Sequence, residues 1–169
     1  MMAGELAACP TTVVRADYGN AMHAQALVDL LDAYARDPAG GATPLSDFAR
    51  ASLVPALAAR PHAFSVLAFD GAQPVGLANC LEGFSTFAGR PLVNIHDLAV
   101  VSSHRGRRIG EQILALVEQI ARERGACKVT LEVLSGNQGA NRLYARSGFA
   151  VYQLDPATGH AQFLQKWLE

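Results

Sequence analysis

The sequence predicts an α/β domain built on a mixed, mostly antiparallel sheet with helices on both faces. Apolar, β-branched runs follow one another across tight-turn chemistry, as on either side of Asp70-Gly71-Ala72-Gln73-Pro74, which implies antiparallel hairpins. Amphipathic runs of helical period lie between them, clearest from Ile109, where Ile109, Ile113, Leu116, Val117 and Ile120 share one face. The two strands flanking that helix imply a single parallel crossover. With 169 residues, 50% of them hydrophobic, one domain with a full core is expected.

Residues 1–11 read as a loose, flexible leader, and 12–169 as a single domain. Val13-Val14-Arg15-Ala16 is a short first strand. Asn20 caps a helix on which Leu27, Leu30, Leu31 and Tyr34 recur at helical spacing, and Asp37-Pro38-Ala39-Gly40-Gly41 stops it. A second helix is expected from about Pro44 to Ala59, kinked or divided at Pro55. Phe64 to Phe69 and Val75 to Leu81 form a hairpin, and 82–90 is a loop with two aromatics, Phe84 and Phe87. Leu92 to Val101 is a long strand, followed by a basic loop and the helix to about Arg124, with Gly125 as its terminator. Lys128 to Leu134 alternates as a strand, and Asn137 caps a short helix closed by Gly148. Phe149 to Leu154 and Gln162 to Leu168 are expected as a last pair of strands, joined by a turn at 155–159. The element order is then β-α-α-β-β-β-α-β-α-β-β.

Fourteen basic residues against 15 acidic ones give a net charge of −1, and no basic run is present, so bulk nucleic-acid binding is not expected. The cysteines are three, Cys9, Cys80 and Cys127, with no C-x-x-C pair, which argues against a disulfide framework or a zinc site and for a reducing compartment. No metal is expected. The first residues lack the charged-then-apolar order of a signal peptide, and no apolar run reaches membrane-spanning length, so a cytoplasmic setting is expected. P-loop, G-x-G-x-x-G, G-x-S-x-G and H-E-x-x-H patterns are absent from the sequence.

The stretch from Asn94 to Gly110 carries the chemistry. An apolar strand holding His96 and Asp97 runs into Arg105-Gly106-Arg107-Arg108-Ile109-Gly110, a basic loop without a carboxylate, and then into a helix. The first N–H groups of a helix have no partners inside it, and its dipole places partial positive charge there. Glycine admits close approach of a phosphate, and arginine adds forked donors. An ordinary surface turn with solvated arginines gives the same pattern.

Three features together resemble the GNAT superfamily of acetyl-CoA-dependent N-acetyltransferases over about residues 12–168. Arg105-Gly106-Arg107-Arg108-Ile109-Gly110 is similar to the family's pyrophosphate loop, [QR]-x-x-G-x-[GA]. Asn137-x-x-Ala140-x-x-Leu143-Tyr144-x-x-x-Gly148-Phe149 is similar to its second motif, and the element order fits. The family usually has Gly where this chain has Arg108; the backbone N–H remains, and the side chain can point toward the cofactor's ribose phosphate. Gly83-Phe84-Ser85-Thr86-Phe87-x-Gly89-Arg90, with Ile95-His96-Asp97-Leu98-x-Val100, is similar to the diamine (polyamine) and thialysine acetyltransferases, which carry Glu-Asp where this chain has His96-Asp97.

The resemblance implies a splayed parallel strand pair holding acetyl-CoA as co-substrate. The backbone of Leu98, Ala99 and Val100 would pair with the pantetheine arm, with the strands parting after residue 100. The N–H groups from Gly106 through Arg107, Arg108, Ile109 and Gly110 to Glu111, beside Arg105, would hold the pyrophosphate. An N–H near Leu98 or Ala99 would polarise the thioester carbonyl. Tyr144 would be the general acid for the departing thiolate, or a core tyrosine. His96 would be the general base, with histidine's ordinary pKa of about 6.5 suited to amine deprotonation, or a satisfied core histidine. Asp97 would orient a cationic substrate or bond within its strand. Asn137 would touch the cofactor or simply cap its helix. Glu82, Asp29 and Asp32 are candidates for a second substrate charge, and otherwise solvated carboxylates. His104 is expected exposed, and Cys80 and Cys127 sit in apolar strands. The expected activity is acetyl transfer to a primary amine of a polyamine or amino-acid-like small molecule by direct attack. Transfer to a protein lysine or N-terminus, and a non-catalytic acyl-CoA-binding regulatory module, are the alternatives. A homodimer with the C-terminal strands near the partner is also implied.

Overall fold

Five strands join in chain order into one sheet: β1 (Thr11–Arg15), β2 (Ala63–Asp70), β3 (Gln73–Ser85), β4 (Arg90–Val100) and β5 (Val129–Leu131). The first four pair antiparallel, and β5 lies parallel to β4 through Val93↔Val129, Asn94↔Thr130 and Ile95↔Leu131. The helices are α1 (Ala21–Arg36), α2 (Asp47–Ala58), α3 (Ile109–Glu123) and α4 (Gln138–Arg146). This computed structural model describes residues 10–152, 155, 157, 159 and 161–168. The chain divides into two compact units, Met1–Leu134 and Ser135–Glu169. Most of the expected leader lies outside the described residues, and β1 already begins at Thr11.

The mixed sheet with helices on both faces is the architecture the periodicity predicts. On one face, Ile109, Ile113, Leu114, Val117 and Ile120 of α3 are buried. A Cβ on Gly76 of β3 would stand 2.9 Å from the Ile113 side chain, so the missing side chain lets helix and sheet approach. On the other face Ala26, Leu27 and Leu30 of α1 pack with Leu67, Phe69 and Leu77, joined by Val54 of α2. Asn20 caps α1, accepting from Met22 at 2.9 Å and His23 at 3.3 Å.

Several boundaries differ from expectation. Residues 82–90 are not a loop: β3 runs to Ser85 and β4 starts at Arg90, paired from Ser85↔Arg90 inward, so Phe84 stays in the ladder. The second helix starts at Asp47, where the Ser46 hydroxyl accepts from the Ala49 N–H at 3.1 Å, and Pro55 does not divide it. The carbonyl that Pro55 leaves without an N–H belongs to exposed Ala51, where water reaches it. β5 is only Val129–Leu131. No strand forms among the described residues of the two C-terminal spans. Phe163-Leu164 and Trp167-Leu168 are adjacent apolar pairs without the alternation of a one-faced strand, and all four are exposed.

Candidate functional site

β3 and β4 pair regularly except at one place. Asn79 opposes Asp97 and Cys80 opposes Ile95, so His96 is an extra residue without a partner on β3, a β-bulge. The bulge changes the side that β4 presents. Ile95 is buried, whereas Asp97 opposes Asn79 on the α1 face, and His96 is exposed. β5 accompanies β4 only to Ile95, so from His96 onward β4 is paired along its β3 edge alone. The strands part earlier than the expected position after residue 100.

Asp97 ends a line of hydrogen bonds. Its Oδ2 accepts from the Asn79 side-chain N–H at 3.0 Å, Asn79 Oδ1 accepts from the Ser65 hydroxyl at 2.6 Å, and Ser65 Oγ meets the Tyr18 hydroxyl at 3.0 Å. Ser65 is 0% exposed and Asn79 5%. Asp97 Oδ1 has no hydrogen-bond partner among the described residues. Burial raises the Tyr18 phenol above 10.0, so it is a neutral donor at ordinary pH. Tyr34 of α1 is raised likewise, by burial first and then by the charges of Asp97 and Asp37.

Beyond Val100 the chain makes one 3-10 turn, Ser102–His104, and enters the basic loop. The Arg105 Nε donates to the Val100 carbonyl at 3.0 Å, and its Nη2 reaches Asp37 at 2.8 Å, just past α1. Arg105's bond holds the Asp37 carboxyl below its ordinary range. Arg107 pairs with Asp70 at 3.1 Å, and His104 meets the same carboxylate oxygen at 3.1 Å. His104 is therefore not exposed as expected; its side chain is 11% accessible because Asp70 draws it in. Arg108 takes φ 60°, ψ 19°, a left-handed conformation that favours glycine, at the N-cap of α3. Its exposed side chain has no partner among the described residues. Helix geometry leaves the N–H groups of Ile109 and Gly110 without acceptors inside α3.

Other expected residues are engaged elsewhere. The Glu82 carboxylate pairs with Arg124 at 2.9 Å and His62 at 3.4 Å, tying β3 to the end of α3, and Arg124 holds its pKa low. Arg124 also lies over the Phe64 ring at 4.9 Å. Asp29 accepts from Gln25, and Asp32 is committed to Arg36, Arg50 and the Leu45 N–H. Burial pushes the Cys80 thiol up to about 12, with Asp97's charge adding, so it is no nucleophile. Cys127 is exposed and precedes β5 rather than sitting in it.

Within the second unit, Asn137 caps α4, its Oδ1 accepting from the Ala140 N–H at 3.1 Å. Tyr144 stands on α4 with its ring edge-on to Phe149 at 5.9 Å. Sequence reasoning missed Asn79, Ser65 and Tyr18 behind Asp97, and Asp37 and Asp70 opposite the loop arginines. A signal existed for two of them: Ser65 and Asn79 are lone polar residues inside otherwise apolar strands.

A family model described as Acetyltransferase (GNAT) family matches residues 24–149, from α1 past α4. The chain belongs to the GNAT acetyltransferase family. Streptothricin acetyltransferase of Streptomyces lavendulae is 38% identical to this GNAT chain over 86 residues, 49% of this chain and 46% of that protein. Aminoalkylphosphonate N-acetyltransferase of Salmonella typhimurium is 30% identical over 89 residues, 53% of this chain and 58% of that protein. The matches thus span about half the length of these relatives. A crystal structure described as a probable acetyltransferase superposes with a TM-score of 0.76 at 21% identity, covering 94% of this chain and 99% of that one, which shows the GNAT fold.

Proposed function

We propose that this chain is an N-acetyltransferase that moves the acetyl group of acetyl-CoA to a primary amine of a small molecule, polyamine or amino-acid-like, by direct attack. The observation that carries the reading is the bulge. It sets His96 and Asp97 at the start of the unpaired edge of β4, upstream of a basic loop and a helix N-terminus. Two relatives are named for small molecules, streptothricin and an aminoalkylphosphonate, and the same class of acceptor is proposed here.

The residues present fit acetyl-CoA. The β4 edge at Leu98, Ala99 and Val100 would bind the pantetheine arm, although Arg105 already engages the Val100 carbonyl. Main-chain N–H groups from Gly106 to Glu111 would hold the pyrophosphate, with Arg105, Arg107 and Arg108, the last without a partner among the described residues, supplying charge. Asn137 has its Oδ1 occupied as a cap, which leaves its N–H donors for the cofactor. Acetyl-CoA supplies an acyl thioester open to attack by an amine. Exposed His96 would take the proton the amine must lose and Asp97 would receive the acceptor's positive charge, while the motif resemblance assigns the Tyr144 phenol the return of a proton to the departing sulfur. Glu82 takes no part, being held by Arg124. A cytoplasmic homodimer completes the proposal: exposed Phe163, Leu164, Trp167 and Leu168 suit a partner surface. No helix among the described residues is long and apolar enough to cross a membrane.

Release of free CoA from acetyl-CoA tests this, with spermidine, putrescine, lysine, thialysine, an aminoglycoside and a histone-tail peptide offered separately. Turnover of a small amine is expected. Tyr144→Phe should lower kcat by about 100-fold, and His96→Ala by a similar factor, both with acetyl-CoA affinity unchanged. Turnover of the peptide alone would replace the small-molecule acceptor by a protein. Binding of acetyl-CoA without turnover of any amine would leave a regulatory module.

A further inference from the structure

The line Tyr18–Ser65–Asn79–Asp97 crosses the sheet from the end of β1 to the bulge of β4, on the face that α1 covers. Ser65 and Asn79 lie at matching positions on adjacent strands, paired Ser65↔Asn79, and Asn79 in turn pairs with Asp97. Two buried polar side chains in a sheet centre are destabilising unless bonded, and an apolar pair would fill the same space without that cost.

The hydrogen bonds have one possible direction. Ser65 has a single hydroxyl proton, and it goes to Asn79 Oδ1, so the Tyr18 hydroxyl must be the donor to Ser65. Asn79 then has only N–H to offer Asp97, whose Oδ2 accepts. Turning the Asn79 amide over would place its carbonyl oxygen against the carboxylate. Each donor is thus aimed along the line toward Asp97, and each bond polarises the next. The line stops at Oδ2. Oδ1 of the same carboxylate has no partner among the described residues.

We propose that Asn79, held by Ser65 and Tyr18, is the positioning residue of the acceptor site: it fixes the Asp97 carboxylate so that Oδ1 receives the ammonium group of the incoming amine beside His96. The inference rests on the acetyl-transfer reading above and deepens it, because the acceptor class becomes amines that arrive as cations. A freely rotating Asp97 would lose side-chain entropy on meeting each acceptor; an anchored one has already lost it. His96 is the neighbouring residue on the bulge.

The decisive variant exchanges the two side chains, Asn79→Asp together with Asp97→Asn. Every hydrogen bond of the line can be rebuilt and net charge is kept, but the carboxylate moves into the sheet centre. The measurements are a thermal melt, calorimetric acetyl-CoA affinity, and KM and kcat for spermidine and thialysine. The expected result is a folded protein with unchanged acetyl-CoA affinity and an acceptor KM raised roughly 10- to 100-fold, the weight of one charged hydrogen bond. Asn79→Leu should give the same split. Tyr18→Phe, which deletes only the outermost hydroxyl, guards against misfolding of the others and should raise acceptor KM several-fold. Wild-type acceptor KM in the folded exchange variant overturns the proposal while acetyl transfer stands, as does an unchanged KM in Tyr18→Phe if the exchange variant does not fold. A wild-type protein that acetylates none of the amines overturns both readings together.

Discussion

The two faces of the sheet are built on opposite rules. On the α3 side Ile113, Leu114 and Val117 are buried, and Ile113 comes so close to Gly76 that not even a methyl group would fit there. Under α1 an equally dry cluster around Leu27, Leu67 and Leu77 borders directly on Ser65, Asn79 and Asp97. One face spends all its burial on stability. The other gives up part of it for polar groups in fixed orientation, and that is the face on which Asp97 sits. The difference teaches that the proposed acceptor site lies beside the side that tolerates buried polarity.

The largest effect should come from the apolar face. Ile113→Ala opens a cavity beneath α3 and is expected to cost about 2–5 kcal/mol in urea unfolding, with acceptor KM unchanged in protein that remains folded. A shift in acceptor KM would mean that the two faces are not separable. On the polar face, Ser65→Ala leaves Asn79 Oδ1 and the Tyr18 hydroxyl without their partner. It should cost about 1–3 kcal/mol, and acceptor KM should move with it. Loss of stability with unaltered acceptor KM would reduce the polar line to scaffolding.

The smallest effect at neutral pH concerns the clamp over that face. Asp32 is held at a pKa of about 2, chiefly by its bond to Arg36 and further by Arg50 and the Leu45 N–H, against an ordinary 3.8. A depressed carboxyl contributes stability that is complete above its ordinary value and is lost as pH falls toward 2. NMR signals of α1 and α2 should therefore change between about pH 4 and 2 before those of the middle of α3. Simultaneous loss would show that α1–α2 has no separate acid-sensitive hold.

Much of this was legible in the residues. The α3 stripe, the Asn20 and Asn137 caps, the 64–81 hairpin and the parallel crossover follow from period, cap chemistry and turn chemistry, each local in the chain. The basic loop was legible too, but not the carboxylates facing it: Asp37 and Asp70 lie far from Arg105 and Arg107 in sequence, and only the fold brings them together. The bulge was hidden because a one-residue slip leaves no compositional mark. The C-terminal spans misled because apolar content suggested strands where a ladder partner was required. Glu82 illustrates the same limit, since a carboxylate read as available depends on whether an arginine, here Arg124, lies opposite.

His96 is added to the ladder without being needed by it. Remove that one residue and Ile95 and Asp97 become neighbours opposite Cys80 and Asn79, so the β3–β4 ladder closes as an ordinary hairpin with every other pairing kept. The sheet is complete without the histidine. Deleting His96 would remove the imidazole while leaving the register of every other β3–β4 pair intact.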